Sequence, residues 1–221
     1  MKGFVLVIFL LVQLQMSGQI KEMPLGKKIF SCSFSLQDVY TWPRYNRKDS
    51  SAFIDHGIYE FKSSYKYRRT YIIPKASPKL DTFQVEASIM PDYNKKDKGC
   101  AGVVFGYHGP SGFEYILEIN AKRQYRILYH DLHGDFFLTR KGKWQGWVST
   151  NLLGPGFNLI DINVVGKRIS VFINGQEVFY SVDYDTDIEQ GENGLVVLGN
   201  YTGYCKYFAV SDLRGVYPQH K

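Results

Sequence analysis

The sequence predicts an all-β protein built as a sandwich of two antiparallel sheets. Apolar and polar residues alternate with the period of two that marks half-buried strands, and short turn signals separate these stretches. Aromatic residues make up 16% of the 221 residues, and aromatic side chains favour pleated surfaces. No stretch combines a helical period with end caps, which argues against alternating strands and helices.

Nine stretches carry the strand pattern. They are residues 83–89, 101–107, 113–119, 124–129, 159–165, 168–173, 176–180, 194–198 and 204–210. Asn174-Gly175 joins two of these stretches through a predicted type I′ turn, in which both central residues need a positive φ. The region 23–78 is less regular and contains four prolines, which predicts edge strands and loops of the same domain.

The first residues have the layout of a secretory signal peptide. Lys2 supplies a positive charge, residues 4–12 are an apolar run too short to span a bilayer, and Ser17 and Gly18 are small. We expect residues 1–18 to be removed and residues 19–221 to form one exported domain, secreted or periplasmic. A retained N-terminal anchor is the alternative, and no later segment is apolar enough to cross a membrane.

The charge pattern argues against nucleic acid as a partner. The formal net charge is +6, but the basic residues occur as short runs with acids between them, not as one clustered surface. The sequence also lacks a nucleophile elbow, a phosphate-binding loop and a dinucleotide fingerprint. Ligand recognition, or hydrolysis by carboxylates, therefore remains as the class of function to consider.

The order of these segments resembles a known superfamily. An aromatic-rich start at 30–35 precedes Trp42, and a Gly-x-Tyr stretch follows at 57–59; the later glycine-containing strands and the closing strand at 207–210 follow in order. This order resembles the concanavalin A-like lectin/glucanase superfamily, in particular its laminin-G-like members and secreted jelly-roll domains, over about residues 28–213. The resemblance implies one jelly-roll sandwich with a concave face, but one fold hosts many functions.

The three cysteines allow one disulfide in an exported chain. Cys32, Cys100 and Cys205 are spaced unlike any zinc motif. In sandwiches of this type the first and last strands often lie side by side. The resemblance therefore favours a disulfide between Cys32 and Cys205, with another pair or no disulfide as the alternatives.

Two glutamates are the candidate catalytic residues. Alternation along 113–119 sends Glu114, Ile116 and Glu118 to the face away from the core. Glycoside hydrolases of the superfamily carry Glu-x-Asp-x-Glu on a similar strand, where the first Glu attacks the sugar and the last protonates the leaving oxygen. Ile116 occupies the place of the central Asp. A straight strand also separates the two positions by about 13 Å, whereas a retaining pair needs about 5–5.5 Å. The alternative is a pair of solvated glutamates.

The second candidate site is a sugar-binding surface on the open face of that sheet. Its predicted polar residues are Gln84, Glu86, Ser88, Glu114, Glu118, Asn120, Arg126 and His130. Trp144, in a polar, glycine-rich stretch, is the favoured platform for a sugar ring, and Trp147 is expected to pack in the core. The alternative for each tryptophan is a packing role.

Calcium is the one cofactor considered, and none is firmly predicted. Asp183, Asp185 and Asp187 offer alternating carboxylates, calcium prefers hard oxygen ligands, and many superfamily members bind it. The alternative is a solvated acidic loop. His130 and His133 would point to different faces of a strand end, so we interpret them as an exposed turn.

The sequence thus favours a secreted, lectin-like module that binds glycans or a glycan-bearing surface. The first alternative is a glycoside hydrolase acting through Glu114 and Glu118. The second is a laminin-G-like protein–protein adhesion module, which would show an exposed apolar patch instead of a polar groove.

Overall fold

The computed structural model describes residues 26–35, 40–95, 99–110, 112–139, 146–182 and 190–217. The predicted signal peptide, residues 1–18, lies outside these ranges. Within them, no helix is long and apolar enough to span a membrane.

The described residues form sixteen strands. They are β1 (Lys27–Cys32), β2 (Tyr45–Asn46), β3 (Ser50–Asp55), β4 (Ile58–Ser63), β5 (Arg69–Ile72), β6 (Thr82–Pro91), β7 (Gly99–Tyr107), β8 (Glu114–Asn120), β9 (Gln124–Asp131), β10 (Gly134–Phe137), β11 (Val148–Ser149), β12 (Asn158–Val165), β13 (Arg168–Ile173), β14 (Gln176–Val182), β15 (Glu192–Gly199) and β16 (Tyr201–Asp212). The helical element among these residues is one 3-10 turn, Tyr93–Lys95.

The strands form two antiparallel sheets, which confirms the predicted jelly-roll sandwich. Sheet I has the order β14-β13-β12-β6-β16-β4-β3-β2, with β1 also paired to β16. Sheet II has the order β10-β9-β8-β7-β15-β5, with β11 also paired to β9. All nine predicted stretches are strands, and the structure extends most of them by one to three residues at an end.

The core lies between the sheets because each strand turns alternate residues inward. In β6 these residues include Phe83 and Val85, and in β8 they are Tyr115, Leu117 and Ile119. The opposite residues of β8 face away from this core, as the alternation predicted. A second, smaller apolar cluster covers part of that outer face and includes Ile116.

The Asn174-Gly175 turn has the predicted geometry. Both residues have a positive φ, 50° and 80°. The Asn174 side chain also accepts a hydrogen bond from the Leu159 amide at 2.8 Å and donates one to the Leu152 carbonyl at 2.7 Å. Asn at this position therefore both tolerates the left-handed backbone and ties the hairpin to β12.

The region 23–78 contributes more to the interior than its prolines suggest. Strand β4 lies inside sheet I between β16 and β3. Trp42 is 2% exposed, and its ring packs against Phe34, Tyr59 and Phe208 at centroid distances of 5.3, 5.2 and 5.1 Å. Trp42 is therefore a core residue and not a ligand platform.

The predicted Cys32–Cys205 disulfide is not formed in this structure, where both residues are buried and neither they nor Cys100 belongs to a disulfide. Strand β1 does lie beside β16, but the register places Cys32 opposite Phe208. Cys205 Sγ instead donates a hydrogen bond to a backbone carbonyl two residues further along, at 3.1 Å. A disulfide needs Cβ atoms that face each other, and this register does not supply them.

Candidate functional site

The candidate site is the outer face of sheet II, which is strongly concave. Strands β5 and β10 are the two edges of the six-strand order, so a flat sheet would separate them by about 24 Å. Yet Arg69 of β5 contacts Asp135 of β10 at 2.7 Å. In the middle of this face, Gly102 of β7 pairs with Glu118 of β8. A Cβ on Gly102 would approach the Leu117 carbonyl oxygen to 1.9 Å. Position 102 therefore requires glycine.

Glu118 lies at the centre of this face and is fully buried. Its carboxylate accepts hydrogen bonds from Arg69 Nε at 2.9 Å and from Arg126 Nε at 2.5 Å. Burial favours the neutral form, but the charges of the two guanidinium groups outweigh it and hold the pKa of Glu118 below its usual value. Glu118 thus favours its ionised form and anchors two arginines.

Arg69 crosses the concave face and joins its edges. Its two terminal nitrogens donate to both oxygens of Asp135 at 2.7 and 2.9 Å, and its Nε donates to Glu118. Asp135 also lies 2.7 Å from His130 Nδ1. Although burial opposes it, hydrogen bonding from Arg69 keeps the pKa of Asp135 below its usual value. We call Arg69 with Glu118 and Asp135 the Arg69 bridge.

Glu114 has a different environment from Glu118. It is 3% exposed and accepts a hydrogen bond from the Tyr71 hydroxyl at 2.5 Å. Burial raises the pKa of Glu114 even though that hydrogen bond acts in the opposite direction. Both glutamates are therefore buried and partnered, and the alternative of two solvated residues is wrong.

Arg126 is held between aromatic rings as well as by Glu118. Its guanidinium carbon lies 4.4 Å from the centroid of the Trp147 ring and 5.2 Å from that of Phe137. Trp147 is half-buried and lines the concave face, so the expectation that it packs in the core is wrong. Asn120 closes the neighbouring turn by accepting from the Lys122 amide at 2.9 Å.

Two of the recesses of the concave face lie beside the Arg69 bridge. The basic recess, of about 430 Å³, is lined by side chains that include Lys66, Tyr67, Asn120, Lys122, Arg126 and Trp147. The acidic recess, of about 370 Å³, is lined by residues that include Tyr71, Tyr107, Glu114, His130, Asp131 and His133. Predicted site residues thus occupy both recesses.

Glu86 does not belong to this face, contrary to the sequence prediction. It lies on β6 in the middle of sheet I, beside Asp161 of β12 and 3.5 Å from Lys28 Nζ. Gln84 and Ser88 share its strand and face, so the predicted surface is in fact two surfaces on opposite sides of the sandwich. Alternation predicts which face of a strand is polar, but not which sheet the strand joins.

Asp161 is the main polar feature on that outer face of sheet I. It is 1% exposed, and in the described part of the chain neither of its carboxylate oxygens has a hydrogen-bond partner. Burial, and to a lesser degree the charge of Glu86, raise the pKa of Asp161 to about 7.

Two of the predicted sites lie outside the described residues. They are the platform Trp144 and the calcium candidates Asp183, Asp185 and Asp187, which stay predictions. In the described ranges, no group of three or more His, Cys, Asp or Glu side chains is arranged to hold a metal ion.

The signal that sequence reasoning missed is the segment 65–69, Tyr-Lys-Tyr-Arg-Arg. It interleaves aromatic and cationic side chains, and Lys66, Tyr67 and Arg69 all line the basic recess. Aromatic and hydrogen-bonding cationic groups in alternation are typical of a ligand-contacting surface.

Solved structures share this fold at low sequence identity, while no protein-family profile and no curated protein matches the sequence. The carbohydrate-binding module CBM66 from Bacillus subtilis is 13% identical, with a TM-score of 0.60 over 79% of this chain and 98% of that one. A Bacillus subtilis protein of unknown function with a galectin-like fold is 12% identical, with a TM-score of 0.62 over 86% and 97%. A Bacillus licheniformis β-glucanase is 11% identical, with a TM-score of 0.58 over 86% and 100%. The chain therefore has the concanavalin A-like jelly-roll fold, as the sequence resemblance implied.

Proposed function

We propose that this protein binds carbohydrate on the concave face of sheet II, in the basic recess. The observation that carries the proposal is the half-buried Trp147 ring beside Asn120, Gln124 and Arg126 in a preformed recess. A flat aromatic ring packs on the apolar face of a sugar, and amide and guanidinium groups bond its hydroxyls. The fold is shared with a protein named as a carbohydrate-binding module, which supports this class of ligand.

The recess is organised before a ligand arrives. Glu118 and the rings of Trp147 and Phe137 hold the Arg126 guanidinium in place. A ligand that contacts this side chain pays little conformational entropy to order it, so even a shallow recess can bind a sugar usefully.

The ionisation of the two glutamates does not favour hydrolysis. A retaining mechanism of the superfamily kind would need Glu114 ionised for attack and Glu118 protonated to donate to the leaving oxygen. The environments act in the opposite sense, because burial raises the pKa of Glu114 while two arginines lower that of Glu118. Glu118 also offers no exposed oxygen to a substrate.

The adhesion alternative has no specific support on this surface. The exposed large apolar side chains of the described residues are spread over both sheets, for example Ile29 on β1, Phe53 on β3 and Phe136 on β10. Carbohydrate recognition therefore remains the function that the concave face supports best.

The test is a glycan array probed with wild type, Trp147→Ala and Tyr180→Ala. Tyr180 is an exposed aromatic residue on sheet I and serves as the matched control. We expect Trp147→Ala to weaken binding by about tenfold or more, since burying a large apolar side chain contributes about 1.5–3 kcal/mol. Tyr180→Ala should bind as wild type.

The same experiment separates the alternatives. Bound oligosaccharides should stay intact on long incubation with wild type. Cleavage would support the glycoside hydrolase alternative instead. Failure of every array glycan to bind, or unchanged binding by Trp147→Ala, would contradict the proposal. Trp144→Ala belongs in the series because that residue was the platform predicted from sequence.

Export of the mature chain is a second proposal. It rests on the charged, apolar and small-residue pattern of residues 1–18. Expression in a secretion-competent host, followed by N-terminal sequencing, should find a mature protein that begins near residue 19 outside the cytoplasm. An intact Met1 on an intracellular product would contradict it.

A further inference from the structure

We propose that the saccharide bound here is anionic, carrying carboxylate or sulfate groups, and that it extends beyond the basic recess over Tyr67. This inference rests on the proposed carbohydrate function and adds the chemical class of the ligand. It also adds a second subsite, a neighbouring recess of about 690 Å³ whose lining includes Arg47, Arg68 and Arg69. We call this the arginine recess.

Tyr67 connects the two subsites. It lines both the basic recess and the arginine recess, and its side chain is 82% exposed. Arg69 also lines both. An oligosaccharide can therefore extend from Trp147 over the Tyr67 ring into the arginine recess and stay in contact with the protein along its length.

The arginine recess is basic and aromatic. Among its described lining residues there is no Asp or Glu. The Arg47 guanidinium lies 5.2 Å from the Tyr45 ring, and that of Arg68 lies 5.5 Å from the Tyr65 ring. These arginines pack on rings, and no carboxylate of the described residues forms an ion pair with either of them.

The charges of the concave face are separated by sign. Six cationic side chains line the two joined subsites: Arg47, Lys66, Arg68, Arg69, Lys122 and Arg126. Among the described residues, the carboxylates of the Arg69 bridge lie with them, Asp135 in the lining and Glu118 beneath it. The acidic recess is lined by Glu114 and Asp131 and by no Lys or Arg among the described residues, and it adjoins the arginine recess along Tyr71 and Tyr107. A neutral sugar gains no electrostatic attraction from this separation of charge. An anionic sugar is attracted to the two basic subsites and repelled by the acidic recess.

The arrangement fits a saccharide better than a nucleic acid strand. A strand of regularly spaced phosphates is matched by a continuous basic groove. Here the arginine recess adjoins the acidic recess, since Tyr71, Tyr107 and His130 line both. The carboxylates of the acidic recess would therefore repel a chain of phosphates that continued along the groove beyond the two basic subsites.

The test compares matched oligosaccharides of one length in neutral, uronate and sulfated forms by isothermal titration calorimetry. We expect a charged form to bind about tenfold more tightly than the neutral form at low salt, and the difference to shrink at high salt. The uronate and sulfated arms identify which anionic group is recognised.

The key variant is Arg47→Gln/Arg68→Gln, which alters the arginine recess and leaves Trp147 in place. Two exposed charge contacts of about 0.2–1 kcal/mol each predict that the charged-to-neutral affinity ratio falls by about two- to thirtyfold. Lys167→Gln/Lys206→Gln removes the same charge from sheet I and should leave the ratio unchanged. Both double variants are surface changes, and thermal melts check that they fold.

Each other outcome overturns a defined part of the reasoning. Equal affinity for neutral and charged forms would refute the anionic ligand but leave carbohydrate binding intact. No binding to any form would remove both proposals. Competition by polyglutamate or single-stranded DNA as strong as that of the charged saccharide would show that charge alone is recognised, and would refute the saccharide class.

Discussion

The substitution Asp161→Asn tests whether a buried acid on sheet I destabilises the folded protein above neutral pH. Asp161 is 1% exposed, and burial with the nearby Glu86 raises its pKa from the ordinary 3.8 to about 7. Because the folded-state pKa is the higher one, the folded state holds the proton more tightly than the unfolded state. Stability therefore falls as the pH rises from about 4 to about 7, and then levels off.

The size of the effect follows from these two pKa values. One pKa unit corresponds to about 1.4 kcal/mol, so the difference between 3.8 and about 7 costs the folded state about 4 kcal/mol at pH 8. Asparagine has nearly the same shape and no charge, so the substitution removes the ionisable group and leaves the packing of the site unchanged. We therefore expect Asp161→Asn to be more stable than wild type at pH 8 by up to this amount.

The assay is urea unfolding of both proteins at several pH values from 4 to 8. The difference in unfolding free energy should be near its baseline at pH 4 and should grow in favour of the variant toward pH 7. Asp212→Asn is the control, because a hydrogen bond from Arg214 lowers the pKa of that carboxyl from the ordinary 3.8. This variant should lose stability by an amount that stays nearly constant from pH 4 to 8, since Asp212 is largely ionised in both states over that range. A difference for Asp161→Asn that does not vary with pH would refute the reasoning.

Three further predictions concern the site and the core. Glu118→Gln should cost about 3–5 kcal/mol in urea unfolding, because it leaves two buried guanidinium groups without their carboxylate; a loss below 1 kcal/mol would contradict the Arg69 bridge. Trp42→Ala should lower the free energy of unfolding by about 3–5 kcal/mol, because it removes the centre of the aromatic cluster. A change in the glycan affinity of the folded variant would show that Trp42 is not only a core residue. Thiol titration in denaturant without reductant should find three reactive thiols, from Cys32, Cys100 and Cys205. Dithiothreitol should not change the melting temperature. One reactive thiol instead of three would show that a disulfide forms, as the sequence predicted.

The fold was predictable because its signal is local. Period-two alternation identified β6, β8 and β12 as strands, and for β6 and β8 it also identified the side that faces the core, since side chains alternate along any strand. The Asn174-Gly175 turn was predictable for the same reason, because two adjacent residues determine its backbone. Strand β4 was harder to place, because its partner β16 lies far along the chain and the pairing leaves no local pattern.

The site was only partly predictable, because its geometry comes from strands that are distant in sequence. Glu118 and Arg126 pair on neighbouring strands, but the Arg69 side chain reaches them from the opposite edge of sheet II. No residue near Arg69 in the sequence indicates that its side chain contacts Glu118. Likewise, no residue near Glu86 indicates that Glu86 belongs to the other sheet.

The sequence by itself determined the class of fold, the faces of the strands and the presence of polar groups on the outer face of β8 and β9. Only the tertiary structure decided that sheet II curls until its edges meet across Arg69 and Asp135. That curvature buries Glu118, lowers its pKa and separates basic from acidic recesses. The reason is physical: alternation is a property of one strand, whereas burial and charge pairing depend on which strands become neighbours.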